Sequence, residues 1–268
     1  MRFDYEHAKS FPPDAPTEAG YVPIKDETLL EWVRYPANRV HKKAEEWAEY
    51  EKLFPEMVKK KIFLSNDEYG YGFGGFKAAL AGGMVLNEMF RHTDFLKMAA
   101  YTMAGSTISY NATGAVYNSK GLLYKMYRDH FGTIPVALSG NSPQPPPQYP
   151  HYGDQPKTSS GSPTYPLDMV AALTADHKYL TIAVVNATES EQKFDLNVTG
   201  LRLAGPSMLW QLTGTSLQAE NLVGHPPQVE VKEIPLDNDP RTESVAPTTV
   251  DIYRFPVAQA CPSGQIHG

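Results

Sequence analysis

Hydrophobic spacing changes character near the middle of this chain, and few folds accommodate both halves. Before residue 138, long stretches with apolar residues three and four apart alternate with short apolar runs. Beyond residue 166 the apolar runs are short, β-rich and separated by turn residues. Residues 139–166, which hold "NSPQPPPQYPHYGDQPKTSSGSPTYP", carry Pro, Gly and Ser too densely for regular structure, and are expected to form a long loop or linker.

In the first half, residues 26–60 are expected to be helical. Asp26 is the candidate N-cap, Leu29, Leu30 and Val33 share a face, and Pro36 should interrupt or kink the helix. From Arg39 to Phe54 a charged amphipathic helix resumes, with Trp47, Tyr50 and Phe54 at three- and four-residue intervals. A short strand over 61–66 continues into "NDEYG", and one long helix is expected from Phe76 to about Ala104. Gly82-Gly83 within it would cost about 1 kcal/mol each relative to alanine, which a close approach to a neighbouring backbone would explain. "STISYN", 106–111, reads as another strand, and 118–132 as a helix with Gly132 as its C-cap. Helix, strand, helix, strand, helix is the alternation of a parallel sheet covered by helices.

In the second half, "YLTIAVVN", "KFDLNVTG", "PSMLWQLTG", "PQVEVKEIPL" and "TTVDIYRFPV" are strand candidates, some alternating by two. They predict an antiparallel β-sandwich, in which "VVNATESEQKF" would be a hairpin with a polar tip.

Composition narrows the partners. The 268 residues carry a net charge of -6, which argues against nucleic acid or an anionic membrane surface. Lys59, Lys60 and Lys61 complement the end of a helix dipole. The single cysteine, Cys261, allows neither an internal disulfide nor a Cys-based zinc site, and neither a cofactor nor a metal ligand set is read from the sequence. No apolar run reaches about 18 residues. Met1 to His7 is not a signal peptide, and either a cytoplasmic or a secreted location stays open. The glycosylation triplets at Asn111, Asn186 and Asn197 are read as chance matches.

Three segments in order carry a family resemblance. "FLSNDEYG" is similar to an Asp-Glu-Trp strand end. "LNEMFRHTDFLKMA" resembles a Leu-Asn-x-x-x-Arg-His-x-Asp helix. "AVVNATE", "LTGTSLQAEN" and "PPQVEV" resemble the Val-Asn, Leu-x-Gly and Asn-x-x-x-x-Pro-x-x-Val segments of a sandwich. Together, over about 61–255, they resemble the C-terminal portion of the α-L-arabinofuranosidases of glycoside hydrolase family 51. The resemblance implies the last strands and helices of a (β/α)8 TIM-type barrel over 1–138, the linker, a β-sandwich domain over 167–258, and a disordered tail over 259–268.

It also implies retaining hydrolysis of arabinofuranosides in arabinan or arabinoxylan by two carboxylic acids. Glu68 matches the nucleophile; on the residues alone it reads as the end of a strand paired with a cation. Strict alternation would place it with Ile62, Leu64 and Asn66, opposite Phe63, Ser65 and Asp67. Tyr69 stands where the family has tryptophan and is a candidate substrate-binding residue, Tyr71 either contacts sugar or packs, and His7 is the candidate for a substrate-binding histidine near a preceding strand. His92 is read as a helix-packing residue. The family's acid/base ends a strand in Asn-Glu; no such strand precedes Glu68, and Asn87-Glu88 falls inside a helix. A truncated reading of a longer gene is therefore expected, or else a barrel completed by another chain, with little or no activity of the isolated chain. Family relatives are often homo-oligomers. The competing expectations are a β-xylosidase or endoglucanase on the same scaffold, and a non-catalytic protein whose sandwich binds polysaccharide through exposed rings, Trp210 and Tyr253 being those available.

Overall fold

The structure, a computed structural model, describes residues 28–70, 74–102, 107–145, 158–236 and 242–258. Helix α1 (Leu29–Leu53) starts at a capping box. The Thr28 hydroxyl accepts from the Glu31 amide at 3.2 Å, and the Glu31 carboxylate accepts from the Thr28 amide at 3.0 Å. The cap is thus Thr28; Asp26 lies outside the described residues. The expected break at Pro36 does not occur, since one helix runs through it. A mid-helix proline costs about 3 kcal/mol. Here it is offset by burial on every side, with Trp32, Val33, Tyr35 and Ala37 all in the core.

After the short α2 (Glu56–Lys59) come β1 (Leu64–Tyr69), α3 (Phe76–Arg91) and β2 (Leu96–Tyr101). The single helix expected over 76–104 therefore stops at Arg91. The His92 amide donates back to Met89 O at 3.2 Å, and the Leu96 amide donates to His92 O at 2.9 Å. This tight turn releases "LKMAAY" as a strand parallel to β1. Leu, Lys, Met and Ala favour helix, but Leu96 buries against Leu64 and the shared core, and packing overrides propensity.

"STISYN" does enter a strand, β3 (Ile108–Asn111), but its partner is β4 (Gly114–Tyr117) in an antiparallel hairpin. The Asn111 side chain closes that hairpin by accepting the Thr113 and Gly114 amides at 2.8 and 3.2 Å. Helix α4 (Ser119–His130) is capped by Asn118, which accepts from the Gly121 amide at 3.0 Å, and its C-cap is Phe131, not Gly132.

The second half forms a six-stranded antiparallel sheet in the order β10-β9-β12-β7-β6-β5. In chain order its strands are β5 (Ile134–Val136), β6 (Asp168–Leu173), β7 (Tyr179–Asn186), β9 (Ser207–Gly214), β10 (Val229–Leu236) and β12 (Thr249–Pro256). Strands β8 (Gln192–Asp195) and β11 (Thr242–Val245) pair separately. The expected β7–β8 hairpin is absent: β7 pairs with β6 and β12 while β8 pairs with β11, so the chain crosses between sheets. The buried Asn186 amide holds this crossing by donating to the carbonyls of Ser190, Val245 and Ala246 at 3.0, 3.1 and 2.9 Å.

Helix α3 lies between α1 and the face of this sheet carried by β6, β7 and β12. A Cβ on Gly83 would sit 2.9 Å from Val185 Cγ2 and 3.3 Å from Val250 Cγ2, so the close approach is to strand side chains. Glu220, in the loop between β9 and β10, ties two helix starts together. Its carboxylate accepts from the Gly75 amide at 3.1 Å and the Ser119 amide at 2.6 Å, ahead of α3 and at the first residue of α4. Among the described residues no barrel closes; the parallel pair β1–β2 lies beside the helices, which in turn cover the large sheet.

Candidate active-site strand

The end of β1 departs from strict alternation. Leu64 pairs with Leu96, Asn66 with Ala99 and Tyr69 with Tyr101, so three residue steps on β1 match two on β2. Asp67 and Glu68 are the bulged stretch. Parity gives the same result. Leu64 packs against the core shared with the helices, and Tyr69, five residues on, is buried in that same core, which a two-residue period cannot achieve. The bulge absorbs the extra residue. Such bulges re-aim side chains beside active sites and at barrel rims.

Tyr69 therefore faces the helices. It is 2% exposed; its hydroxyl meets that of Tyr124 on α4 at 2.9 Å, and its ring contacts Tyr101 edge-on at 5.3 Å. Burial pushes its phenol up to about 12. Its backbone carbonyl accepts from the Thr102 amide at 2.8 Å, prolonging the parallel ladder past the bulge. Asp67 and Glu68 are both exposed. The Ser65 hydroxyl donates to the Asp67 carboxylate, which puts those two on one side. The strict alternation expected along this strand does not hold: Leu64 and Tyr69, five residues apart, both join the helix-side core, and Asp67 and Glu68 in the bulge are both exposed.

Of the other sequence candidates, His7 and Tyr71 lie outside the described residues. His92 does not merely pack: its Nε2 lies 3.0 Å from Glu88 Oε1. Glu88 is fully buried and also meets His41 Nδ1 at 2.6 Å, Arg91 at 2.6 Å and the Gly161 amide at 3.1 Å. Arg91 continues to the Asp168 carboxylate and to Met169 O. Asn87 donates to Asp168 Oδ1 at 3.1 Å and accepts from Tyr127 at 2.7 Å. His41, Glu88, Arg91 and Asp168 form a polar cluster that sequence reading did not assemble. Its one local signal was Glu88 and His92 four residues apart on a helix.

Two cavities lie away from Glu68. A cleft of about 790 Å³ opens over Met169, Ala171, Leu180 and Ile182 between residues 136–142 and 192–201, and one of about 110 Å³ lies beside Val40, Leu64 and Phe95.

No family model and no curated protein matches the chain. Solved structures do. The chain is similar to the α-L-arabinofuranosidase from Thermotoga maritima in complex with arabinose, at 16% identity and a TM-score of 0.70, covering 87% of this chain and 51% of that one. The GH51 arabinofuranosidase from Xanthomonas axonopodis pv. citri matches at 15% identity and a TM-score of 0.62, over 92% of this chain and 50% of that one. CelM2, a bifunctional glucanase-xylanase from a metagenome library, matches at 15% identity and 0.53, over 88% and 42%. The chain spans about half the length of these enzymes, and over that half its fold resembles that of the GH51 α-L-arabinofuranosidases.

Proposed function

We propose that Glu68 is the nucleophile of a retaining glycoside hydrolase acting on α-L-arabinofuranosyl groups of arabinan or arabinoxylan, with β1 and β2 as two strands of a (β/α)8-type wall followed by a β-sandwich. One observation carries the reading: a bulge at the end of a parallel strand leaves the Glu68 carboxylate exposed while its neighbour Tyr69 is locked into the helix layer. Active sites of such barrels lie at the C-terminal strand ends.

In this chemistry Glu68 attacks the anomeric carbon as a second carboxyl group protonates the departing oxygen; water then hydrolyses the glycosyl ester. Retaining enzymes hold the two carboxyl groups about 5–5.5 Å apart, with the sugar between them. Asp67, adjacent in the chain and engaged by Ser65, does not stand across a sugar from Glu68. The acid is expected from another strand of the wall. Without it, turnover falls by about 10²–10⁴.

The test separates attack from protonation. A dinitrophenyl arabinofuranoside has a leaving group that departs unprotonated. The expected result is transfer of one pentosyl unit to Glu68, mapped by peptide mass spectrometry and lost in Glu68→Ala, with azide restoring turnover to that variant. Labelling at another residue, or release indifferent to Glu68→Ala, would reject the assignment.

The glucanase-xylanase neighbour keeps a second reading in play, a β-xylosidase or endoglucanase on the same scaffold. Dinitrophenyl xyloside and cellobioside in the same assay decide between them. The polysaccharide-binding reading loses its rings. Trp210 is 4% exposed and stacked on His130 at 4.0 Å, and Tyr253 is fully buried.

A further inference from the structure

We propose that His41, Glu88 and His92 form a binding site for one borderline transition-metal dication, for which Zn²⁺ is the natural probe. The three side chains come from α1 and α3, and their donor atoms lie within 4.8 Å of one another. The geometry is that of a carboxylate held for this purpose. Glu88 Oε2 is taken up by Arg91 at 2.6 Å and by the Gly161 amide at 3.1 Å. That leaves Oε1 aimed between His41 Nδ1 at 2.6 Å and His92 Nε2 at 3.0 Å. The two imidazole rings stand 5.7 Å apart, tilted by 60°.

The donor types agree. Two imidazole nitrogens and one carboxylate oxygen are a ligand set zinc accepts, with a fourth position left for water. Hydrogen bonds to the remote oxygen of a ligating carboxylate are what orient it in known sites, and Arg91 and Gly161 provide them here. The side chain of Glu88 is 0% exposed, while those of His41 and His92 keep 32% and 21%, so a hydrated ion can enter from the imidazole side. Binding would replace the protons that now lie between the imidazoles and Oε1, and these leave to solvent as the metal enters. Arg91 is shared with Asp168, so its charge does not bear on Glu88 alone.

The alternative is a cluster that only hydrogen-bonds α1 to α3. Two variants distinguish the cases on the full 268-residue chain. His41→Asn and His92→Gln each keep an N–H for Oε1 but remove the imidazole. Calorimetric titration with Zn²⁺ is expected to give one equivalent bound, Co²⁺ to give the visible absorption of a tetrahedral site, and zinc to raise the melting temperature. Each variant should weaken binding by more than about 100-fold, the upper end of what losing an outer partner costs. If the wild type binds no stoichiometric zinc, or the variants bind it equally well, the metal site is rejected. Should a variant not fold, diethyl pyrocarbonate labelling of the wild type decides. Zinc must shield His41 and His92 from modification, and unchanged labelling of both would overturn the proposal.

Discussion

The six-stranded sheet and the β1–β2 pair are treated very differently by the same helices. Strands β7 and β12 at the middle of the large sheet are buried almost throughout, with α3 on one face and the Phe194 layer on the other. Among the described residues the parallel pair joins the core through Tyr69, Leu96 and Tyr101, while Lys97, Met98, Ala99 and Ala100 in succession are exposed. On it and just before it Met98 is 63% exposed, Phe63 52% and Ile62 49%. Parallel strands are ordinarily buried on both faces. Burial is therefore concentrated in the seam between α1, α3 and the large sheet.

The strongest way to break this comparison is to attack the seam at Glu88. Glu88→Ala leaves Arg91, His41, His92 and the Gly161 amide without the carboxylate they share. Removing one partner of a buried charge cluster costs about 3–5 kcal/mol, read as a fall in the urea midpoint. A change below about 1 kcal/mol would mean the seam does not hold the halves together. The group also sets a pH response. Its hydrogen bonds and Arg91 outweigh burial and hold the folded carboxyl below its unfolded value, so its contribution is present above the unfolded pKa and is lost as pH falls.

A second buried carboxylate in the large sheet should behave in the opposite sense. Asp251 has no hydrogen-bond partner for Oδ1, and its Oδ2 meets Gln211 only at 3.5 Å. Burial pushes it up to about 7. The folded state then holds a proton that the unfolded state, with a pKa near 3.9, has released. Stability falls as pH rises from about 4 to about 7 and stays lower above. Asp251→Asn is expected to flatten that slope and to gain about 4 kcal/mol at pH 8, from roughly 1.4 kcal/mol per pH unit over the window between about 4 and about 7. Melting curves from pH 4 to 8 check both signs; a parallel shift of wild type and variant would contradict the assignment. Smaller again is Ile252→Val, one methyl at a fully buried position, which should cost about 0.5–1.5 kcal/mol in the same melts.

Much of this division is legible in residue spacing. The helix–strand alternation and the later β-rich runs identify the two kinds of layer, and Thr28-x-x-Glu31 announces the true start of α1 two residues after the expected one. The motifs behind the family resemblance prove to be staples of the fold. Asn87 and Arg91 clamp Asp168, Asn186 holds the crossing between sheets, and Asn221 closes its loop by accepting the Gln228 and Val229 amides at 2.8 and 2.9 Å. What spacing cannot reveal is register. The bulge at Asp67-Glu68 depends on how β1 meets β2, and β2 itself is written in helix-forming residues. The His41–Glu88–His92 cluster joins positions 47 residues apart through helix packing, which no local pattern encodes.

The smallest expected effect probes the open side directly. Met98, the partner of Ser65 across the parallel pair, lies on β2 with 63% of its surface exposed. Met98→Lys should change stability by less than about 0.5 kcal/mol, as surface substitutions away from special features do. It removes no buried contact and puts its ammonium in water. Sedimentation of the wild type and the variant across a range of concentrations supplies the decisive control. If both sediment alike and melt alike, the face is solvent-facing in the isolated chain. If Met98→Lys instead lowers the melting temperature by several degrees or shifts the sedimentation coefficient, the face is covered in solution by another copy. Exposed apolar side chains on a strand invite such pairing, and the contrast between a packed seam and an open strand would then hold only for the single chain.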